Sequence, residues 1–273
     1  MNDITLGQFF PGDSILHRID PRMKIILTAL FIVLVFMAGS LLALAIVAIL
    51  TFSLAPIAKI SPKVVLKSLK PLRFVLVFMA IINVFWTKGE GDPLISFWVI
   101  KIWWQGLLYA LFVMVRIVVL LVGTTVLLSY TTSPIALTDS IEQLLAPLKK
   151  IRVPVHDFAM MMTIALRFIP TLIDETNKIM SAQKARGVDF SSGGLIKRAK
   201  ALIPIFIPLF VSSIRRADEL AIAMECRCYR GDVGRTRMKV LRYGARDFVA
   251  LILTAALCVG IFFVSKLKFG IIV

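Results

Sequence analysis

The chain has 273 residues, 59% of them apolar, and a formal net charge of +16. An ordinary soluble domain is about 45–50% apolar, and the excess here collects in charge-free runs, which excludes a soluble globular protein and points to membrane spans. The same runs exclude a nucleic-acid-binding protein, for which so basic a chain would otherwise argue; cations beside spans fit the cytoplasmic bias of membrane proteins instead.

Residues 1–23 hold Asp3, Asp13, Arg18, Asp20 and Arg22, with no apolar core of a secretory signal. The spans themselves are therefore expected to direct insertion. Ile25 to Ala58 is almost wholly apolar, with Gly39-Ser40 in the middle. A single helix of that length would be about 50 Å long, against a hydrocarbon core of about 30 Å. Basic groups flank both ends: Arg18, Arg22 and Lys24 before, then Lys59, Lys63, Lys67, Lys70 and Arg73 after. A hairpin of two short spans turning at Gly39-Ser40 places both groups, and the N-terminus, in the cytoplasm. A third span is expected from Phe74 to Trp86. The loop Thr87 to Ile102 balances Lys88 and Lys101 with Glu90 and Asp92 and reads as external. Trp86, Trp98, Trp103 and Trp104 surround it, as in an interfacial aromatic belt.

A fourth span, Leu107 to Leu128, carries Arg116 near its middle. Arg at a span centre costs about 2.5–3.5 kcal/mol, while each Leu, Ile, Val or Phe favours insertion by about 0.3–0.6 kcal/mol. Fifteen such residues outweigh it. The guanidinium must face protein or a wet cavity, either as a structural pairing within the bundle or as a functional group where another subunit docks.

Residues 132–246 hold 19 of the 32 Lys and Arg and 10 of the 16 acids. Ser133-Pro134, and Asp139 with Glu142, are helix-start signals for a short helix to about Leu148. Val153-Pro154 breaks it. A long helix follows, Asp157 to Lys184, kinked at Pro170 and capped by Gly187. After a loop at Ser191-Ser192-Gly193-Gly194, a second long helix runs from Leu195 to Tyr229, disturbed at Pro204 and Pro208 and capped by Gly231. Phe248 to Val264 is long enough for a last span. The chain thus reads as an all-α polytopic membrane protein: about five transmembrane helices plus long amphipathic cytoplasmic coupling helices. Its parts are 1–131 (N-terminal segment and four spans), 132–246 (coupling-helix domain) and 247–273 (final span).

The two long helices close alike, as Ala182-Gln183-Lys184-Ala185-Arg186-Gly187 and as Ala223-Met224-Glu225-Cys226-Arg227-Cys228. Each presents one arginine between small residues. Small neighbours leave a guanidinium free to enter a partner's groove, and its fork of donors suits carboxylates. A cation at a helix C-terminus also complements the macrodipole, so one alone would mean little. Two with matching contexts, 41 residues apart, suit two similar partners.

Other chemistry finds few residues. There is no Gly-x-x-x-x-Gly-Lys-Ser/Thr loop to cradle ATP, and no nucleophile–base set. Cys226, Cys228 and Cys258 lack zinc or disulfide-framework spacing. His17 and His156 stand too far apart in sequence to suggest a metal pair.

The chain resembles the transmembrane T component of energy-coupling factor (ECF) transporters, the EcfT/CbiQ family. The resemblance lies in Asp13-Ser14-Ile15-Leu16-His17-Arg18-Ile19-Asp20-Pro21-Arg22-Met23-Lys24, in Ala165-Leu166-Arg167-Phe168-Ile169-Pro170 with Asp174-Glu175, in Ala182 to Gly187, and in Arg216-Ala217-Asp218-Glu219-Leu220-Ala221 with Ala223 to Gly231. It covers most of the chain, and the motifs are specific in their order and spacing. It implies a non-catalytic scaffold in the cell membrane that joins two cytoplasmic ABC-type ATPases to a small substrate-capturing S component, for uptake of a vitamin or other micronutrient. It implies that Ala185, Arg186, Gly187, Cys226, Arg227 and Cys228 contact the ATPases, that ATP and Mg stay on those partners, and that this chain binds no cofactor, metal or nucleic acid. Cys-Arg-Cys stands where the family has Ala-Arg-Gly. A self-sufficient secondary transporter would want polar residues at mid-membrane and repeated halves, whereas only Arg116 qualifies. A conventional ABC permease would use one coupling helix rather than two.

Overall fold

The computed structural model describes residues 9–87, 95–97, 100–188, 190, 194–231, 241 and 243–266. The chain divides into two compact units, with boundaries at Leu137/Thr138 and Val240/Leu241. The first and last parts of the chain form one unit and the middle forms the other.

The outer unit begins with α1, Pro21–Met37, and α2, Leu41–Ile57. Asp20 caps α1 by accepting the Arg22 N–H, with Pro21 at the first position. The expected turn at Gly39-Ser40 is present: Ser40 caps α2, its hydroxyl accepting the Ala43 N–H. Each helix is about 25 Å long. Two short segments follow: α3, Pro62–Leu69, and a 3₁₀ turn at Lys70–Leu72. They lead to α4, Arg73–Trp86, in which Leu76 alone is buried while Phe74, Val77, Phe78, Ile81, Phe85 and Trp86 are exposed. A surface that apolar fits lipid rather than water.

The external-loop expectation gains one element. Ile95–Phe97 pairs antiparallel with Ile100–Ile102 in a short hairpin. Alternating Ile-Ser-Phe and Ile-Lys-Ile suit that pairing. Lys88, Glu90, Asp92, Trp98 and the Ser191–Gly193 stretch lie outside the described residues. Trp86 and Trp104 are strongly exposed on either side.

Helix α5, Trp104–Thr124, is the hub of this unit. It packs against α1, α2, α3 and α4. A five-residue π segment, Thr125–Ser129, extends it, marked by the Tyr130 N–H reaching the Thr125 carbonyl at 2.9 Å. Val119, Val122 and Val126 are fully buried on one face. Gly123 lets Phe31 of α1 lie directly on the α5 backbone. The closing helix α9, Ala245–Lys266, packs on α1 and α2.

Helix α6, Pro134–Leu144, runs across the boundary into the inner unit and starts at the Ser133-Pro134 signal, with Ser133 Oγ accepting the Ala136 N–H. Asp139 and Glu142 fall within the helix rather than at a start, because the earlier cap already satisfies its first donors. The Glu142 carboxylate meets His156 Nδ1 at 3.0 Å. A 3₁₀ turn at Ala146–Ile151 ends at Arg152 in the left-handed region. Then come α7, Val155–Ala185, and α8, Leu195–Cys226.

Among the described residues, three helices are long and apolar enough to cross a membrane: α5 with its π extension (Trp104–Ser129), α7 (Val155–Ala185) and α9 (Ala245–Lys266); α2 is a shorter apolar helix. Length and composition alone put α7 among them; the sequence reading makes it a cytoplasmic coupling helix, and its second half carries Asp174, Glu175, Lys178 and Lys184. Its apolarity is front-loaded: Val155 to Leu172 carries only Asp157 and Arg167 as full charges.

Candidate functional site

Helices α7 and α8 run antiparallel. Glu175 pairs with Arg216 at 3.5 Å, and Gln183 Nε2 donates to the Pro204 carbonyl at 3.5 Å. That acceptor is free for a local reason: Pro208, four residues on, has no N–H to claim it. At the other end, Met160, Thr163 and Arg167 of α7 lie beside Leu220, Met224 and Arg227 of α8, around a cavity of about 640 Å³.

Both helices finish in the same hydrogen-bonded turn. In α7, Arg186 is the C-cap; the Gly187 N–H donates to the Lys184 carbonyl at 2.9 Å and the Val188 N–H to the Gln183 carbonyl at 3.1 Å. In α8, Arg227 is the C-cap; the Cys228 N–H donates to Glu225 at 2.8 Å and the Tyr229 N–H to Met224 at 3.1 Å. These are two Schellman motifs in register. Ala185, Arg186, Gly187, Cys226, Arg227 and Cys228 are all exposed. Since the helices are antiparallel, the two arginines sit at opposite ends of the pair. Arg227 lies level with the Met160–Arg167 stretch and Arg186 about twenty residues further along α7, so they are roughly 35 Å apart.

The end of α8 corrects the sequence reading. The helix stops at Cys226, not Tyr229, and the left-handed residue that closes it is Cys228 at φ 55°, not Gly231. Gly231, also at positive φ (74°), belongs to the following turn. At the matching place in α7 stands Gly187 at φ 86°, with open space around it. Glycine is favoured there for its backbone alone. Cys228 carries a side-chain penalty of roughly 1 kcal/mol for the same geometry. Cys228→Gly should therefore raise stability by about 1 kcal/mol. Thermal unfolding of the purified protein in detergent measures it, and an unchanged or lowered midpoint would contradict the cap assignment.

The cavity brings in two residues that the arginine motifs did not announce. Arg167 and Arg230 line it beside Arg227, with Met224, Leu220 and Tyr229 supplying apolar wall. Three guanidiniums on one cleft form an anion-seeking surface. No local sequence signal announces this; the antiparallel register sets Arg167 opposite the end of α8.

Arg116 is elsewhere, in the outer unit. Its Nη2 donates to the Ala38 carbonyl at 2.7 Å and its guanidinium lies 4.4 Å from the Phe112 ring centre. Ala38 is the C-cap of α1, so Arg116 closes that helix end and its dipole. This is the geometry of the structural pairing.

Over residues 12–240 the chain matches the family described as CbiQ, cobalt transport protein. The chain belongs to the CbiQ/EcfT family. It is 49% identical over 270 residues to the energy-coupling factor transporter transmembrane protein EcfT of Clostridium kluyveri, covering 99% of both chains. The protein of that name from Ruminiclostridium cellulolyticum is 53% identical over 247 residues (90% of this chain, 91% of the relative). That from Bacillus subtilis is 43% identical over 260 residues (94% and 97%). As a CbiQ/EcfT member with helices long and apolar enough to span, it is a multi-pass membrane protein. The family match takes in both arginine-capped ends.

Proposed function

We propose that this chain is the scaffold of an ECF-type importer, non-catalytic itself, that passes ATP-driven motion from two separate ATPase subunits to a membrane S component capturing a micronutrient. One observation carries the reading: two identical helix ends, each an exposed arginine on a Schellman turn, set at opposite ends of one antiparallel pair. Two like sites roughly 35 Å apart call for two like partners rather than one. The fork of each guanidinium suits an acidic groove. ATP and Mg stay on the partners; the N-terminus and the arginine ends face the cytoplasm.

An S component is supported by a second feature. Ile203, Phe206, Ile207, Phe210, Val211 and Ile214 lie exposed along α8 at helical spacing. A stripe of that length is not left in water, and a hydrophobic membrane subunit would cover it. Purification of tagged chain from native membranes, with subunit masses measured, tests the assembly. Two P-loop ATPases and one small hydrophobic protein are expected. A chain that purifies alone under conditions that keep such complexes intact would count against it.

A further inference from the structure

The docking proposed above does not use the sequence motif from Asp13 to Lys24, yet the motif contributes to a buried polar cluster of the outer unit. Asp20, Lys24 and Asp247 are all buried, at 7, 3 and 3% exposure. Buried charges add little net stability over apolar replacements of similar volume, so cohesion alone does not explain three of them. Their partners are informative. Asp247 Oδ1 accepts the Asp20 N–H at 2.9 Å and its Oδ2 accepts the Gly244 N–H at 2.7 Å. Lys24 Nζ donates to the Thr131 carbonyl at 2.8 Å and reaches the His17 carbonyl at 3.5 Å. The Phe10 N–H donates to the Tyr130 carbonyl at 3.1 Å, and the two rings meet edge to face. Arg22 pairs with Asp20 and lies over the Tyr243 ring.

Every one of these long-range bonds therefore ends at one of two places, Tyr130–Thr131 or Tyr243–Asp247. Those are the segments by which the chain leaves the outer unit, toward Thr138, and re-enters it at Leu241. We propose that the N-terminal segment is a latch that fixes both crossings to α1, and that Lys24 and Asp247 are positioning residues for energy transfer. Motion arriving along the coupling helices can enter the spans through these two connections. Tied to one another through α1, they move together; untied, each would yield by itself and the motion would dissipate locally.

This rests on the scaffold reading above. The test uses the whole complex in proteoliposomes, with ATP hydrolysis and substrate uptake measured side by side for Lys24→Ala, Asp247→Ala and the conservative Lys24→Arg. The alanine variants should keep both ATPases bound and hydrolysing, while substrate moved per ATP falls about tenfold. Lys24→Arg, which still donates to Thr131, should recover most of it. Wild-type uptake per ATP in both alanine variants would overturn the latch, as would loss of the ATPases, since no latch residue lies at a docking end. Wild-type complex that assembles without ATPases would instead sink the scaffold reading. Should the alanine variants fail to fold, hydrogen exchange on the wild-type complex decides: the amides of Asp20 and Gly244 should exchange as slowly as the α5 core, and fast exchange would overturn the proposal.

Discussion

Arg186→Glu combined with Arg227→Glu should abolish recovery of the ATPases with this chain while leaving membrane insertion intact. Each arginine is the exposed C-cap of its helix, so reversal changes the docking charge without touching a core contact. Losing a central arginine from an interface costs about 2–4 kcal/mol, and a reversed charge facing an acidic groove costs more. Where the two ATPases hold on to each other, the two sites also support each other: once one end is held, the other binds at high effective concentration, a gain of about 10²–10⁴. Each single reversal should therefore weaken recovery strongly, and the double should remove it. Arg227→Glu should be the weaker of the singles, because Arg167 and Arg230 line the same cavity and keep it cationic. Quantitative co-purification measures all three. Wild-type recovery from the double variant would mean that docking lies elsewhere.

Gly123→Val should be among the most damaging single changes in the outer unit. A Cβ at 123 would fall on Cε1 and Cζ of Phe31, a ring that is itself buried between α1 and α5. The ring has nowhere to retreat, since Val119, Val122 and Val126 fill the same face. Overpacking of this kind costs about 1–3 kcal/mol or more. Phe31→Ala alone should cost about 3–5 kcal/mol by opening a cavity. The double variant should be less destabilised than the sum of the two, because valine then occupies space the ring has left. Thermal unfolding of the four proteins checks it; strict additivity would show that the two residues do not share that space.

The outer helices were legible because their signals are local. Gly39-Ser40 announced the α1–α2 turn and Ser133-Pro134 the start of α6, and the apolar runs marked the rest. The likeness of the two helix ends at Arg186 and Arg227 was legible from their matching contexts. Three things were not. The end of α8 was misplaced by three residues because glycine is the usual left-handed cap, and here a cysteine takes that conformation while a glycine stands nearby. The role of Arg116 depended on where the α1 carbonyls end, which is a tertiary fact. The cation cluster of Arg167, Arg227 and Arg230 joins residues some sixty positions apart, and only the register of α7 against α8 brings them to one cleft.

On the scaffold reading, this chain moves nothing without its ATPases. Substrate uptake into proteoliposomes tests it most directly, comparing the chain alone, the full complex, and the full complex with ATP. Uptake only in the last is the predicted result. Accumulation by the chain alone, driven by an ion gradient, would contradict the account and make it a self-sufficient transporter.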